Sequence, residues 1–364
     1  MKRVISVVGA RPNFMKVAPI HRAFAADPEH WDHRIVHTGQ HYDAAMSDAF
    51  FRDLDMPHPA WFLGAGGGSH AEQSAKVMVG FEKVCQEAEA DYVIVVGDVN
   101  STIACALVSV KMGIRTAHVE AGLRSFDRTM PEEINRLATD AIVDDLFVTE
   151  QSGMDHLMRE GVDPARVHFV GNTMIDSLHY ARAKAMQSPI LDHLGLERGT
   201  YCLVTMHRPS NVDDSQQLGM LIGVLGEIAS TMPVVFPVHP RTRKNIEAKG
   251  LALPAGVRMI DPAGYVDFLA LMMHARVVLT DSGGIQEETT ALGVACITAR
   301  TTTERPITTT MGTNVLVTPT RDGILTAIKG FIAGTHPVGS VPPLWDGHAS
   351  ERIVARIGSI LGAF

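Results

Sequence analysis

The sequence predicts an α/β protein built from two doubly wound, Rossmann-like domains. Short apolar, β-branched runs recur along the 364 residues, and each is followed by a stretch with helical spacing of apolar positions. The runs form two series, separated by a polar, Ala-rich interval at 182–200. Because most runs are apolar along their whole length, we expect helices on both faces of each sheet. Two such domains are expected to face each other across a cleft.

Each series contains six predicted strands. The first series comprises 4–8, 34–37, 92–96, 116–119, 146–149 and 167–170, and the second comprises 202–205, 234–238, 257–260, 277–280, 295–298 and 314–317. Apolar residues at helical spacing within 349–361, including Ile353, Ile357, Ile360 and Leu361, predict a C-terminal amphipathic helix. We therefore expect domains at 1–172 and 173–345, with 346–364 packing back on the first.

Composition excludes several classes of partner. Thirty-two Lys and Arg against 40 Asp and Glu give a net charge of −8, so no global basic field is available for nucleic acid or an anionic membrane. No apolar run approaches the ~18 residues that predict a membrane span. The four cysteines are far apart and HExxH is missing, which indicates reduced thiols in a cytoplasmic protein without a metal site.

Two cations follow the first strand. Ligands bind at the carboxyl ends of parallel strands, and the segment 9–16 begins a helix there, with Pro12 near its start. Arg11 and Lys16 lie about one turn apart and can converge on an anion. The alternative is a solvated turn with ordinary surface cations.

The segment 277–288 is typical of a diphosphate site. A strand enters a turn made of Ser282, Gly283 and Gly284, and a helix leaves it. Glycines allow close approach of the backbone, and the first amides of the helix favour negative charge. Glu288 is placed to accept hydrogen bonds from ribose hydroxyls, and Glu287 to complement the helix dipole. The alternative is a helix N-cap with acidic residues in its first turn.

Three carboxylates are candidates for acid and base chemistry on a sugar. Asp98 and Glu120 each follow an apolar strand, where an ionised group is costly unless it is paired or used. Glu132 lies one residue after Pro131 at a predicted helix start. Its alternative role is a surface ion pair with Arg136, four residues on. Together the three supply the parts for proton transfer.

His207 also follows a strand, and its neighbour is Arg208. We expect its side chain to point into the cleft. The first strand is not followed by GxGxxG and a suitably placed acidic residue, which argues against a nicotinamide site. GxSxG and a Cys–His nucleophile pattern are also missing, which removes common hydrolases. We therefore expect no cofactor.

An ordered set of motifs spans nearly the whole chain. The motifs lie at 9–16, 38–42, 97–102, 118–124, 131–136, 171–173, 207–208, 281–288 and 301–306. In this order they resemble the non-hydrolysing UDP-N-acetylglucosamine 2-epimerases, whose fold is the two-domain GT-B fold. The resemblance implies NAD-independent interconversion of UDP-GlcNAc and UDP-ManNAc, by anti elimination of UDP to a 2-acetamidoglucal and re-addition. It also implies a supply of ManNAc-type sugars for cell-surface polysaccharide.

The resemblance assigns roles to individual residues. It implies acid–base roles for Asp98, Glu120 and Glu132, and it places His207 at the diphosphate, where it assists departure of UDP. The remaining substrate-binding residues that it implies are Arg11, Lys16, Ser282, Gly283, Gly284, Glu288, Arg305 and Phe268, the last in the loop that receives uridine. The family is expected to be homodimeric.

Several alternatives stay open from the sequence. The chain is also compatible with a hydrolysing 2-epimerase that releases ManNAc and UDP, or with a GT-B glycosyltransferase or nucleotide-sugar sensor. Some bacterial members bind a second UDP-GlcNAc as an activator, in a region matched by Gln40, His41, Arg208 and His239. Departures from that region are Tyr42, Asp43, Lys76 and Ala263. The sequence does not assign acid and base among the carboxylates.

Overall fold

The computed structural model describes residues 1–40, 51, 53–336 and 338–363. The chain forms two compact units. Unit 1 comprises 1–180 and 343–364, and unit 2 comprises 181–342. The predicted α/β class, with two separate parallel sheets, is confirmed. No helix within the described ranges is long and apolar enough to cross a membrane.

Unit 1 contains a seven-stranded parallel sheet in the order β3-β2-β1-β4-β5-β6-β7. The strands are β1 (Lys2–Val8), β2 (Trp31–His37), β3 (Trp61–Phe62), β4 (Tyr92–Val96), β5 (Arg115–Ala121), β6 (Asp145–Val148) and β7 (Val167–Phe169). The helices are α1 (Arg11–Ala25), α2 (His70–Ala88), α3 (Asn100–Lys111), α4 (Pro131–Ile142), α5 (Gln151–Arg159) and α6 (Thr173–Met186), with a 3₁₀ turn at Pro164–Arg166.

Unit 2 contains a six-stranded parallel sheet in the order β10-β9-β8-β11-β12-β13. Its strands are β8 (Cys202–Thr205), β9 (Val234–Pro237), β10 (Val257–Ile260), β11 (Val277–Thr280), β12 (Cys296–Ala299) and β13 (Asn314–Val317). Its helices are α7 (Ile190–His193), α8 (Pro209–Val212), α9 (Ser215–Ala229), α10 (Pro240–Ala248), α11 (Tyr265–Met273), α12 (Gly283–Leu292), α13 (Ile307–Thr310) and α14 (Arg321–Ile332).

All twelve predicted strands are present, with ends displaced by at most a few residues. Buried apolar runs made them recognisable, as in β4, where every residue is buried. The sequence missed β3, which pairs with the end of β2 through only two residues at the edge of the sheet. So short a strand leaves no apolar run to detect.

The C-terminal segment forms α15 (Ala349–Leu361), which packs against α1 within unit 1. Ile353 and Ile357 are fully buried. The Asp176 carboxylate accepts hydrogen bonds from the amides of Ala349 (3.1 Å) and Ser350 (2.7 Å) at the start of α15. Because this part of α6 is bound to unit 1, the division between the units falls after Tyr180 rather than at 172/173.

In each sheet the strand order reverses at one place, between β1 and β4 in unit 1 and between β8 and β11 in unit 2. The connections from the two neighbouring strands run in opposite directions there, which leaves a crevice at the carboxyl ends of the strands. This is where α/β proteins bind ligands. Asp98 follows β4, and His207 and Ser282 follow β8 and β11. The fold therefore places these predicted site residues at switch points.

Candidate functional site

A buried ion pair lies at the switch point of unit 1. The Lys16 ammonium contacts the Glu120 carboxylate, and both residues are buried, with 6% and 5% of their surface exposed. Gly97, at φ +68°, lies against this pair. A Cβ on Gly97 would lie 2.9 Å from Lys16 Nζ and 3.4 Å from Glu120 Oε2, so only glycine fits without displacing the pair.

Glu120 has a strained backbone. Its φ of +77° is left-handed, which is uncommon for any residue other than glycine and costs about 1–3 kcal/mol. The register of β5 with β6 shifts between Val119 and Ala121, so Glu120 forms an irregularity in the strand. Such irregularities re-aim side chains next to active sites. The strained backbone supports a functional role for Glu120.

Asp98 is held on both its backbone and its side chain. Asn135 Nδ2 donates to the Asp98 carbonyl oxygen at 2.8 Å, and Arg136 Nη1 lies 2.5 Å from the carboxylate. About a third of the Asp98 side chain (31%) is nevertheless exposed, so the carboxylate is both oriented and accessible. Asn135 and Arg136 come from α4, whose motif the sequence analysis had used only for Glu132.

The alternative prediction, a surface ion pair between Arg136 and Glu132, is wrong. Arg136 is buried, and its guanidinium bridges Asp98 and the buried carboxylate of Glu133, at 2.5 Å from each. Although burial would raise the pKa of Glu133, hydrogen bonds from the Ser125 and Phe126 amides and the Arg136 guanidinium hold it below its usual range. Glu133 is thus a structural carboxylate that the sequence analysis missed.

Glu132 lies beside Glu133 in the first turn of α4 but differs from it in environment. Its side chain is exposed, and its carboxylate has no hydrogen bond or ion pair with any residue in the described ranges. The N-terminal turn of a helix favours a negative charge. Glu132 therefore remains available for a ligand.

The loop after β1 is organised by Asn13. Its Oδ1 accepts the amides of Gly9 (3.1 Å) and Ala10 (2.9 Å), and its Nδ2 donates to the Val96 carbonyl oxygen at 3.1 Å. This links the ends of β1 and β4. Asn13 was not among the predicted site residues, because its partner Val96 lies 83 positions away in the chain. The side chain of Arg11, at the start of α1, is outside the described part of the structure.

In unit 2, the predicted turn at 282–284 leads into α12. Ser282 is the N-cap residue, but its hydroxyl makes no capping hydrogen bond, and no acidic residue lies in the first turn of α12. The alternative of an ordinary capped helix is therefore wrong in both details. The half-exposed backbone of Ser282, Gly283 and Gly284 forms a helix N-terminus suited to an anion.

Arg305 lies directly behind this turn. A Cβ on Gly283 would lie 2.9 Å from Arg305 Nη1, so a larger residue would displace the guanidinium. Arg305 pairs with Glu287 at 2.9 Å and Glu304 at 2.7 Å. Glu287 was predicted to complement the helix dipole. Its carboxylate instead binds Arg305. Despite burial, Arg305 and Arg300 hold the pKa of Glu304 far below its usual range.

Glu288 is buried in α12 and accepts a hydrogen bond from the Tyr265 hydroxyl at 2.8 Å. Burial, together with this carboxylate, raises the pKa of Tyr265 well above its usual value. Tyr265 therefore acts as a donor that orients Glu288. The sequence offered no sign of this pairing, because the two residues belong to different helices.

His207 is oriented by Asp281, the residue that follows β11. The fully buried Asp281 carboxylate accepts the backbone amides of His207 (3.1 Å) and Arg208 (2.9 Å), and it lies 2.9 Å from His207 Nδ1. Burial would raise the pKa of Asp281, but the hydrogen bond and charge of His207 and the other donors hold it low. With Nδ1 on Asp281 and 45% of the ring side chain exposed, Nε2 is the nitrogen left for a ligand.

Other predicted residues lie elsewhere. Phe268 is half-buried within α11 and not in a loop, which corrects its expected setting. Among the residues matched to an activator site, Gln40 Oε1 accepts the Ser101 amide at 3.0 Å, and His239 caps α10. His41, Tyr42 and Asp43 are outside the described residues, and Lys76 is exposed on α2.

The described residues contain no cluster of three or more His, Cys, Asp or Glu that would hold a metal ion. Unit 1 offers a carboxylate site, comprising Lys16, Asp98, Glu120 and Glu132. Unit 2 offers an anion site, comprising His207, Ser282–Gly284, Glu288 and Arg305.

Comparison with known proteins supplies the family context. The profile of the UDP-N-acetylglucosamine 2-epimerase family matches residues 22–358. A UDP-N-acetylglucosamine 2-epimerase of Methanocaldococcus jannaschii is 38% identical over 358 residues, covering 96% of each chain. A UDP-2,3-diacetamido-2,3-dideoxy-D-glucuronate 2-epimerase of Pseudomonas aeruginosa is 40% identical over 362 residues, covering 98% of this chain and all (100%) of its own.

A solved structure is similar over the full length. The crystal structure of Methanocaldococcus jannaschii UDP-GlcNAc 2-epimerase in complex with UDP-GlcNAc and UDP matches with a TM-score of 0.90 and 38% identity, covering 99% of this chain and 100% of that one. The fold that the ordered motifs predicted is thereby confirmed.

Proposed function

Because the chain belongs to the UDP-N-acetylglucosamine 2-epimerase family, we propose that it interconverts UDP-GlcNAc and UDP-ManNAc by inverting the configuration at C2. The observation in the structure that best supports this is the carboxylate site. A strained Glu120 paired with Lys16, an oriented Asp98 and an exposed Glu132 are more than a binding protein needs. They match a reaction that removes and returns a proton.

The proposed reaction is an elimination followed by an addition. A base removes the C2 proton while the C1–O bond breaks, and its electron pair leaves with UDP. The resulting 2-acetamidoglucal then takes a proton on the opposite face of C2, and UDP oxygen re-forms the bond at C1. A proton is removed and a proton is returned, and neither step transfers a hydride, so this route requires no nicotinamide cofactor.

Unit 2 is proposed to stabilise departing UDP. The N-terminal amides of α12 favour a negative charge, and His207 Nε2 and Arg305 add donors to the same anion site. Glu288, oriented by Tyr265, is proposed to bind ribose hydroxyls. Phe268, half-buried on α11, is proposed to contact the uracil ring.

Unit 1 is proposed to carry out the proton transfers. Asp98, Glu120 and Glu132 are the candidate acids and bases, and Lys16 balances the charge of Glu120. Arg11 and Lys16 are proposed to contribute positive charge to substrate binding. We also propose that the protein acts as a homodimer in the cytoplasm. Light scattering on the purified protein tests the dimer.

A second candidate substrate is favoured by one relative. The Pseudomonas aeruginosa enzyme that is 40% identical is named for UDP-2,3-diacetamido-2,3-dideoxy-D-glucuronate, which carries the same 2-acetamido group on a UDP-linked sugar. The proposed elimination applies to either sugar, because it uses only C1, C2 and UDP. Comparing kcat/KM for the two nucleotide sugars decides between them.

Proton NMR of the reaction mixture tests the proposed function. With UDP-GlcNAc, a UDP-ManNAc signal should rise to a plateau and the same mixture should form from UDP-ManNAc. If free ManNAc and UDP accumulate instead, the enzyme is a hydrolysing epimerase. If neither nucleotide sugar is converted at all, the proposal is wrong.

Glu132→Gln tests the role of the exposed carboxylate. Turnover should fall by about 10²-fold or more if Glu132 transfers a proton, whereas UDP affinity and stability should change little. Glu351→Gln is a matched control, since Glu351 is also exposed in the first turn of a helix of unit 1. Equal turnover of the two variants would remove Glu132 from the proposed mechanism. Asp98→Asn should likewise abolish most turnover while UDP binding persists.

A further inference from the structure

A fully buried histidine and aspartate connect the loops that carry Asp98 and Glu120. His118 on β5 and Asp140 on α4 are almost wholly inaccessible, and His118 Nδ1 lies 2.6 Å from Asp140 Oδ1. The other ring nitrogen, Nε2, donates to the Gly97 carbonyl oxygen at 2.8 Å. Neither residue is exposed for contact with substrate.

The contacts of this pair fall next to both carboxylates. Gly97 immediately precedes Asp98, so the bond from His118 fixes the peptide that begins the Asp98 turn. The other carboxylate oxygen of Asp140 accepts the Gly122 amide at 3.0 Å. Glu120 lies two residues after His118 and two before Gly122, so both flanks of Glu120 are tied to Asp140.

Regular strand pairing does not extend through Glu120 itself. The register of β5 with β6 shifts around Glu120, whose left-handed φ of +77° takes it out of the regular ladder. Gly122 also has a positive φ, of +79°, and a Cβ there would lie 2.4 Å from the Gly153 carbonyl oxygen. The side-chain hydrogen bonds to Gly97 and Gly122 therefore add to the backbone pairing on either side of Glu120 in holding the strained path.

Buried charge is balanced in the same network. Arg124 lies 2.7 Å from Asp140 and 2.7 Å from Glu160, so the Asp140 carboxylate is not left uncompensated. A fully satisfied buried network of this kind is rigid and favours one arrangement of the groups around it. Its members come from β5, the loop that follows β5, α4 and Glu160, which caps the C-terminal end of α5.

We propose that His118 and Asp140 are positioning residues that hold Asp98 and Glu120 in their reactive geometry. The inference rests on the proposed epimerisation and goes beyond it, because it assigns part of the activity to residues that touch no substrate. A displacement of about 1 Å at a reacting group can cost roughly 100-fold in rate. Loss of the bond to Gly97 is therefore expected to lower kcat.

Two substitutions of His118 distinguish a role in positioning Asp98 from an effect on activity through loss of protein stability. The amide nitrogen of His118→Gln can reach the position of Nε2 and still donate to Gly97. In His118→Asn the amide lies near the position of Nδ1, so Asp140 keeps a partner and Gly97 loses its donor. Both variants lose one of the two ring contacts. We expect kcat to fall about 100-fold in His118→Asn and only several-fold in His118→Gln, with KM and UDP affinity nearly unchanged.

Tyr92→Phe is the control for loss of a buried hydrogen bond. The Tyr92 hydroxyl donates to the buried Asp145 carboxylate at 2.7 Å, at the opposite end of β4 from Gly97. This variant should lose stability but keep its kcat. If His118→Asn keeps the wild-type kcat, or if all three variants lose kcat in proportion to stability, the positioning role is refuted.

Amide hydrogen exchange provides a readout that does not depend on activity. Peptides containing 97–98 should exchange faster in His118→Asn, which loses the bond to Gly97, than in His118→Gln, while peptides remote from the two loops are unchanged. Equal exchange in the two variants contradicts the inference. If the wild-type protein converts neither nucleotide sugar, the proposed function fails, and the exchange result alone decides whether His118 holds these loops.

Discussion

Replacement of Arg136 by methionine should destabilise unit 1 strongly and in a pH-dependent manner. The Arg136 side chain is 3% exposed and pairs with Glu133, which is 2% exposed, and with Asp98, which is 31% exposed. Methionine fills a similar volume without charge. The substitution therefore leaves Glu133 as a buried carboxylate without its cation.

The expected cost follows from these exposures. Removing one partner of a buried ion pair costs about 3–5 kcal/mol. Glu133 keeps hydrogen bonds from the Ser125 amide and hydroxyl and from the Phe126 amide, which places the cost near the lower end, at about 3 kcal/mol. The partly exposed Asp98 adds about 1 kcal/mol at most, because solvent screens its pairing.

The contribution of Glu133 to the free energy of unfolding should change with pH in opposite directions in the wild type and in Arg136→Met. In the wild type the pKa of Glu133 lies below its ordinary 4.5, so this carboxylate adds stability above pH 4.5 that is lost as the pH falls through the folded pKa. In Arg136→Met burial becomes dominant and raises the pKa of Glu133. The difference in free energy of unfolding between the wild type and Arg136→Met should therefore shrink as the pH falls from 7 towards 5.

Urea unfolding followed by tryptophan fluorescence measures this deficit. Trp31, Trp61 and Trp345 are the three tryptophans of the chain, and all lie in unit 1, so the signal reports that unit. The double variant Arg136→Met/Glu133→Gln should be less destabilised than Arg136→Met, because no buried charge remains. A deficit below about 1 kcal/mol at pH 7, or one that does not change with pH, would refute the reasoning.

Three further outcomes are expected. Tyr265→Phe removes the hydroxyl that orients Glu288, the proposed ribose-binding carboxylate. Loss of about 1 kcal/mol should weaken UDP binding several-fold, as measured by calorimetry. The control Tyr201→Phe, which loses a buried hydrogen bond to a backbone carbonyl, should leave UDP binding unchanged. Asp281→Asn should weaken UDP binding about tenfold or more, because it loosens His207, and unchanged affinity would contradict this role. The stability of unit 1 should fall as the pH drops below about 6.5, since burial holds the pKa of His33 well below 6.5 and only the unfolded chain takes up that proton. A flat urea midpoint from pH 7.5 to 5.5 would count against the last expectation.

Much of the architecture was predictable because its signals are local. Buried parallel strands are continuous apolar runs, so the twelve predicted strands and α15 could be read directly. Polar residues at the ends of apolar runs were also readable, which is why Asp98, Glu120 and the turn at 282–284 were identified. These positions depend on little beyond where an apolar run ends.

Partners that are distant in the chain were not predictable. Arg136 reaches Asp98, 38 positions away, and Glu287 reaches Arg305 in the loop before α13. Both pairings depend on which elements lie side by side, and the spacing of charges along one helix suggested different roles. The left-handed backbone of Glu120 was equally hidden, since no glycine or asparagine marks it.

Solvent deuterium incorporation tests the central claim most directly. The protein would be incubated in D₂O with UDP-GlcNAc, without added nicotinamide cofactor, and C2 of both sugars would be followed by NMR. Removal of the C2 proton and return of one from solvent predicts UDP-ManNAc deuterated at C2, with label also entering the remaining UDP-GlcNAc as the reaction reverses. UDP-ManNAc that retains its original C2 hydrogen would contradict the account.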